Sequence, residues 1–242
     1  MIDFHSHFLP GIDDGSENVS MSLSMLNAWS IQGIDTVVAS PHFYATRNNP
    51  ERFLRNREAA YNAVREAMSR YRPSNGGNWP DIMLGAEVYF FNGISRYEGL
   101  HDLCLEGTDL LLLEMPFTPW TSRMIDEVSI IASTTGIMPV AAHIERYLNQ
   151  PKSLVNAFLD LDIYIQSNAE FFLERGTSRK ALKMLKKGVV TFLGSDAHNM
   201  GSRSVNIGPA LQVISKSLGQ DFVDDLTARQ YDIIEQFKSN YF

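Results

Sequence analysis

The chain has 242 residues, 44% of them hydrophobic and 20% charged, and a formal net charge of -7 at pH 7. That length permits one large core, expected as a single domain over residues 1–242, and the acidic balance argues against general nucleic-acid binding, which needs a basic face. No apolar run reaches the roughly 18 residues of a membrane span, the opening residues leave no room for an apolar leader core, and the lone Cys104 permits no internal disulfide and fits a reducing cytoplasm.

Short apolar runs that end on polar residues alternate with amphipathic stretches. The first run covers 1–5 and ends in the Asp3-Phe4-His5-Ser6-His7 motif. Residues two apart on a strand share a face, so His5 and His7 can present two imidazoles together. A helix is expected over 16–32, with Met21, Met25, Leu26 and Trp29 near helical spacing and Gly33 suited to its end. Strand 36–40 precedes His42, helix 50–71 follows, and strand 81–87 ends on Glu87. Strand 110–114 ends on Glu114, helix 122–134 follows, and strand 138–143 ends on His143. Helix 153–161, strand 163–167, helix 178–187 and strand 189–195 complete the series up to Ser195-Asp196-Ala197-His198. Helices over 205–217 and 228–237 close the chain. Strand then helix, repeated about seven times, points to a parallel sheet covered by helices. Ligand-type residues at so many strand ends favour a barrel, which gathers them on one face, over an open sheet.

In chain order the candidates are His5, His7, Asp14, His42, Glu87, Glu114, His143, Asp196 and His198, five of the six histidines and four carboxylates. His101, in a polar connecting segment, is read as surface. Alone, each candidate has an ordinary structural role open to it. Together they exceed what one four- to six-coordinate ion needs, so two or three ions and a bridging carboxylate are expected. Imidazole and carboxylate without thiolate suit manganese, iron or zinc. Such ions turn an acidic pocket phosphate-attracting and lower the pKa of bound water to about 7. Arg146 and Arg203 follow two of the motifs, and guanidinium binds phosphate oxygens in two-point fashion.

These motifs resemble the PHP family (polymerase and histidinol phosphatase), and within it the bacterial metal-dependent tyrosine phosphatases of exopolysaccharide and capsule synthesis. The resemblance rests on Asp3 through Gly15, Ala39-Ser40-Pro41-His42, Gly85 to Glu87, Glu114, Ala142-His143-Ile144-Glu145-Arg146-Tyr147 and Ser195 to Asn199. It implies a distorted (β/α)7 TIM-like barrel holding three divalent ions, usually manganese. The first ion would take His5, His7, Glu87 and Asp196; the second Glu87, Glu114 and His143; the third Asp14, His42 and His198. It further implies hydrolysis of phosphotyrosine by a metal-activated hydroxide, with Arg146 and Arg203 on the phosphate and His42 and Asp196 among the catalytic groups. The implied partner is the tyrosine-rich tail of a bacterial autokinase controlling polysaccharide export. The chain departs from the family at Ile144, where proline is usual, and over residues 166–172.

Two other readings compete: a small-molecule phosphomonoesterase such as a histidinol-phosphate phosphatase, and an inactive metal-loaded module that binds phosphotyrosine. Phe8, Phe43, Tyr44, Phe117 and Trp120 follow ligand-bearing strand ends and are candidates to wall a slot for a phenolic ring. Cys104 lacks the Cys-x5-Arg pattern of thiol-based phosphatases and is expected to pack as a small apolar residue.

Overall fold

The computed structural model describes residues 1–238. Its elements run β1 (Ile2–Ser6), α1 (Val19–Ile31), β2 (Thr36–Ala39), β3 (His42–Phe43), α2 (Pro50–Arg70), β4 (Asp81–Leu84), β5 (Glu87–Tyr89), β6 (Leu110–Glu114), α3 (Ser122–Thr134), β7 (Met138–Ala141), α4 (Lys152–Leu159), β8 (Tyr164–Asn168), α5 (Glu170–Leu173), α6 (Ser178–Lys186), β9 (Phe192–Gly194), α7 (Ile207–Leu218) and α8 (Gln220–Gln236). The result is an α/β fold in which a curled parallel sheet is wrapped by helices.

The strands pair in the orders β1-β2-β4 and β3-β5-β6-β7-β8-β9. The expected strand 36–40 forms as β2 and is followed beyond Pro41 by the short β3, whereas the expected strand 81–87 is interrupted. Pro41 offers no amide hydrogen to a ladder, and the second break falls at Gly85 and Ala86. Backbone bonds nevertheless bridge both breaks, from Gly85 N–H to Ala39 O (2.8 Å) and from Glu87 N–H to Pro41 O (3.1 Å). At the far side β9 meets β1. Asp196 N–H donates to His5 O (2.8 Å) and His7 N–H to Ala197 O (2.9 Å).

Alternation along the strands sorts two apolar layers. Ile2, Phe4, Val38, Leu110, Leu112, Val140 and Phe192 pack together inside the curl, with the Phe4 and Phe192 rings stacked at 4.0 Å. Val37, Leu111, Leu113, Ile165 and Leu193 face outward onto Trp29, Ile131, Phe158 and Leu185 of the helices. Helix α8 plugs the N-terminal end of the strands. Ile233 and Ile234 join the inner layer, Asp109 N–H reaches Phe237 O at 2.9 Å, and Gln230 Nε2 reaches Thr191 O at 3.1 Å. This helix starts eight residues before the expected 228, with Asp221 in its first turn suited to the positive end of a helix. Plugging one end leaves the C-terminal strand ends open for a site.

A register slip between Asp3 and Ser6 breaks simple alternation in β1. Such a bulge re-aims the side chains beyond it. Phe4 can therefore stay in the inner layer while His5 and His7 also turn inward, and Asp3 points out to accept from Trp29 Nε1 of α1 (2.6 Å).

The β8–β9–β1 seam is close-packed at Gly194. A Cβ there would lie 2.5 Å from His5 Cβ and 2.6 Å from Gln166 Nε2. Gly194→Ala should therefore lower the stability of the protein by about 1–3 kcal/mol, read as a lower urea midpoint at unchanged slope. An unchanged midpoint would show the seam to be slack.

Candidate metal centre

All nine candidates meet at the open end. His5 and His7 leave β1, Asp14 lies in the loop after it, His42 is on β3, Glu87 opens β5, Glu114 closes β6, His143 follows β7, and Asp196 and His198 follow β9. Glu87 is the hub. Its Oε2 lies 3.3 Å from His5 Nε2, 3.4 Å from His7 Nε2 and 2.8 Å from His42 Nδ1, and its Oε1 lies 2.9 Å from His143 Nε2. Asp196 Oδ1 is 3.7 Å and 3.5 Å from the His5 and His7 Nε2 atoms. Asp14 Oδ1 is 3.3 Å from His42 Nε2 and 3.4 Å from His198 Nε2. Glu114 Oε1 is 3.6 Å from His143 Nε2. Three sets offer ligand atoms within 4.8 Å of one another: His7, Asp14, His42 and His198; His5, His7 and Glu87; and His42, Glu87 and Glu114. The sixth histidine, His101, lies apart from this cluster and is exposed, as expected of its polar connecting segment, with Nε2 at 3.1 Å from Thr135 O.

These residues fit divalent cations. His5 Nε2 and His7 Nε2 face each other at 3.0 Å, and only one proton can lie between two such nitrogens. His42 Nδ1, Glu87 Oε2, Glu114 Oε2, His143 Nδ1 and His198 Nε2 are all buried without a well-aligned hydrogen bond among the described residues, the 2.8 Å approach of His42 to Glu87 included. Orphaned lone pairs converging in a buried pocket are costly unless a cation binds them. Two backbone positions here are also held in the left-handed region, His143 at φ 32° and Asp196 at φ 52°, a conformation that costs a non-glycine residue about 1–3 kcal/mol.

A second set of groups holds the first in place, and sequence spacing did not reveal it. Asp13, one residue before the expected Asp14, accepts from the His7 ring at Nδ1 (2.7 Å) and from His42 N–H (3.0 Å). Asp3 accepts from His5 N–H (3.3 Å), Ser195 N–H (2.8 Å) and Trp29 Nε1, joining both ends of the sheet to α1. Strand β8 supplies no ligand but carries an amide relay. Gln166 Oε1 accepts from His143 N–H (2.6 Å) and lies 3.3 Å from His5 Nδ1; Gln166 Nε2 donates to Asn168 Oδ1 (3.0 Å), and Asn168 Nδ2 donates to Asp196 Oδ2 (3.0 Å). Glu145 accepts from Ser167 Oγ and Asn168 N–H, pinning the turn that carries Arg146. The motif Asp13-Asp14 and the alternation Gln166, Asn168 were the available signals.

The charges are strongly perturbed. Burial opposes ionisation of Glu87, yet His5, His143 and His42 around it hold its carboxyl well below the usual range. Burial likewise opposes a charged His7, but the hydrogen bonds and charges of Asp13 and Glu87 raise it to about 10. Burial and the Glu87 charge push Glu114 up to about 7. Burial, with the neighbouring His7 charge, brings His198 down to about 4.

Arg146 and Arg203 converge on the mouth. Arg146 Nη2 donates to Asp196 Oδ2, and Arg203 Nη2 donates to Asp196 Oδ1 at 2.7 Å. Both side chains are about one third exposed, at 34% and 36%. Of the five aromatic candidates, Phe8, Phe43 and Trp120 are buried in the core and cannot wall a slot. Tyr44 packs beside His42 at 5.5 Å between ring centroids, and Phe117, 56% exposed, lies parallel to His143 at 6.2 Å.

Residues 1–234 match the family described as capsular polysaccharide synthesis, CpsB/CapC. The chain belongs to that family. It is 29% identical over 238 residues to the tyrosine-protein phosphatase YwqE of Bacillus subtilis, covering 94% of this chain and 89% of that protein. It is also 29% identical over 237 residues to the tyrosine-protein phosphatase CpsB of Streptococcus pneumoniae, covering 90% and 91%. Its fold superposes with a TM-score of 0.80, at 24% identity and over 94% of this chain and 92% of the other, on a structure from work on YwqE and CpsB described as metal-dependent tyrosine phosphatases.

In this CpsB/CapC member the relay on β8 should govern cation affinity. Gln166→Leu removes the acceptor for His143 N–H and should weaken divalent-cation binding about 10–100-fold, measured by competition with a chromogenic chelator. Unchanged affinity would show Gln166 to be passive packing.

Proposed function

We propose that this chain is a metal-dependent protein-tyrosine phosphatase acting on the tyrosine-rich tail of a bacterial autokinase in the cytoplasm. One observation carries the reading: a buried cluster of orphaned imidazole and carboxylate atoms with two guanidinium groups at its mouth. The names of its CpsB/CapC relatives support it. We read nine ligands around three ions, manganese before iron or zinc: His5, His7, Glu87 and Asp196; Glu87, Glu114 and His143; Asp14, His42 and His198. We also read one PHP-type domain whose sheet closes as a distorted (β/α)7 barrel, with β2 and β3 forming one stave and β4 and β5 another. The backbone bonds from Asp196 and Ala197, just after β9, to His5 and His7 support closure.

When bound, the ions supply acidified water and a positive field for the phosphate. The chain's own groups do the rest. Arg146 and Arg203 now neutralise Asp196; with that carboxylate engaged elsewhere, their N–H groups are available to phosphate oxygens and offset charge that develops in transfer. Phe117 and Tyr44 flank the mouth as faces for an aromatic ester. A phenol, with a pKa of about 10, leaves more readily than an alkoxide, which favours tyrosine over serine esters. Cys104 is excluded as a nucleophile: it is buried, and burial pushes its thiol up, far from the thiolate form.

Protein reconstituted with manganese should cleave a phosphotyrosyl peptide and spare both its phosphoseryl counterpart and histidinol phosphate. Arg146→Ala and His42→Ala should each lose at least about 100-fold in kcat/KM without loss of folding, while Cys104→Ala keeps full activity. Turnover that survives excess chelator, or that disappears with Cys104, would overturn the reading.

Metal uptake should release protons. His7 is raised to about 10 in the cation-free pocket, so at pH 7 it carries a proton that a cation must displace. Apparent affinity should therefore rise from pH 6 to pH 8, and calorimetry in buffers of different ionisation heat should show net proton release. A flat affinity across that window would mean that His7 is already neutral.

A further inference from the structure

Charge is distributed unevenly along this chain. From Arg175 to Gln220 there are eight Lys and Arg residues and a single acidic one, Asp196, which lies in the metal centre; the remainder holds thirteen cations and twenty-seven acids. Six of the eight, Arg175, Arg179, Lys180, Lys183, Lys186 and Lys187, lie on α6 or at its ends. All six are exposed and none forms an ion pair among the described residues. Arg179, Lys183 and Lys186 follow each other at i, i+4 and i+7, so they share a face, while Ala181 and Leu185 are buried on the other side. Like charges at that spacing destabilise a helix. The core does not require them, which leaves a partner as their use.

The connectivity starts this face beside the site. Helix α6 joins β8 to β9, so it begins at the strand ends that hold the metal centre and runs away from them. Thr177, just before α6, lines a cavity of about 250 Å³ together with Arg146 and Asn168. Glu145, Glu170 and Glu174 line the same cavity and disfavour acidic residues immediately beside a bound phosphate. The basic track starts only beyond them.

Resting on the phosphatase reading above, we propose that the outer face of α6 docks an acidic stretch of the phosphotyrosyl substrate protein, set a few residues away from the scissile phosphotyrosine. Nine helical residues span roughly 14 Å, the reach of about four extended residues. A lipid surface fits less well, since the apolar side of α6 is committed to the core and a membrane-surface helix needs it free. Nucleic acid fits less well too: Phe192, the one aromatic residue from 175 to 220, is buried, so no ring is available for base stacking.

The test uses two manganese-loaded proteins, wild type and Arg179→Glu/Lys183→Glu/Lys186→Glu, and phosphotyrosyl peptides with either Asp and Glu or Ser and Gly at the third to seventh residues from the phosphotyrosine, on each side in turn. The wild type should show a KM about tenfold lower for one acidic peptide, an advantage abolished by about 0.5 M salt and by the triple variant. Fluorescence anisotropy of the same acidic peptide without phosphate should show charge-dependent binding that the variant loses. Equal KM for acidic and neutral peptides, with both cleaved, overturns the docking face and leaves the phosphatase reading intact. No cleavage of any peptide, with anisotropy still lost in the variant, overturns the phosphatase reading and leaves the acidic docking face. Tighter association with phosphatidylserine vesicles than with the peptide, or dimerisation that the variant abolishes, assigns the face to another partner and overturns the proposal.

Discussion

The meeting of the last strand with the first is the constraint on which the centre depends. The two densest ligand motifs, His5 with His7 and Asp196 with His198, lie nearly two hundred residues apart, and they touch because the backbone just after β9, at Asp196 and Ala197, bonds to His5 and His7. Asp3 fastens that seam from outside, accepting from backbone on both strands and from Trp29. Its price is visible in its ionisation, since burial pushes the Asp3 carboxyl up to about 6 despite three donors. A carboxylic acid in that position is tolerated because its hydrogen bonds replace the water it has lost. Gly194 adds the steric condition, because no side chain fits between His5 and Gln166.

Around the seam, the strands divide their duties. Those on either side of β8 bring charged or titratable ligands, whereas β8 brings only neutral amides and a hydroxyl. Gln166 and Asn168 touch three ligand residues, His5, His143 and Asp196, without adding charge to a pocket already crowded with carboxylates. A carboxylate at 166 would meet Glu87 through the shared His5 and His143 and raise the repulsion there; a purely apolar residue would orphan His143 N–H. An amide is the side chain that satisfies both conditions.

Much of this was legible in the sequence, and the exceptions have physical causes. Strand 110–114 and helix 122–134 fall where periodicity puts them, because each has one unbroken pattern and clear termini. The short strand β3 and the break in strand 81–87 were not legible, since β3 is two residues long and the apolar run of 82–86 continues through Gly85 while the backbone pairing shifts. The bulge in β1 was hidden for a related reason: residues two apart share a face only where the ladder is regular, and here the slip itself turns His5 inward. The start of α8 was missed because an aspartate such as Asp221 marks a helix N-terminus only once the chain around it is in place. At the centre, the ligand-type residues were readable by their chemistry. Asp13 and the β8 amides were not, because carboxylates and amides that orient other groups have no distinctive spacing. The aromatic slot failed for three of its five members because following a ligand in sequence does not set which way a ring points.

Charge then links occupancy to chemistry. Four carboxylates gather in the pocket, and the two arginines at its mouth are both spent on Asp196. The pocket presents an anionic interior, and one Nη2 of each arginine is held by a carboxylate rather than open to an anion. Cations that neutralise the carboxylates change both terms together: they reverse the field inside and loosen the claim of Asp196 on Arg146 and Arg203. On the phosphatase reading proposed above, phosphate recognition would then depend on metal loading at the binding step, ahead of turnover. The reactive equipment contains no thiol, and Cys104 is sealed in the core, so this dependence on cations takes the place that redox sensitivity holds in thiol-based phosphatases.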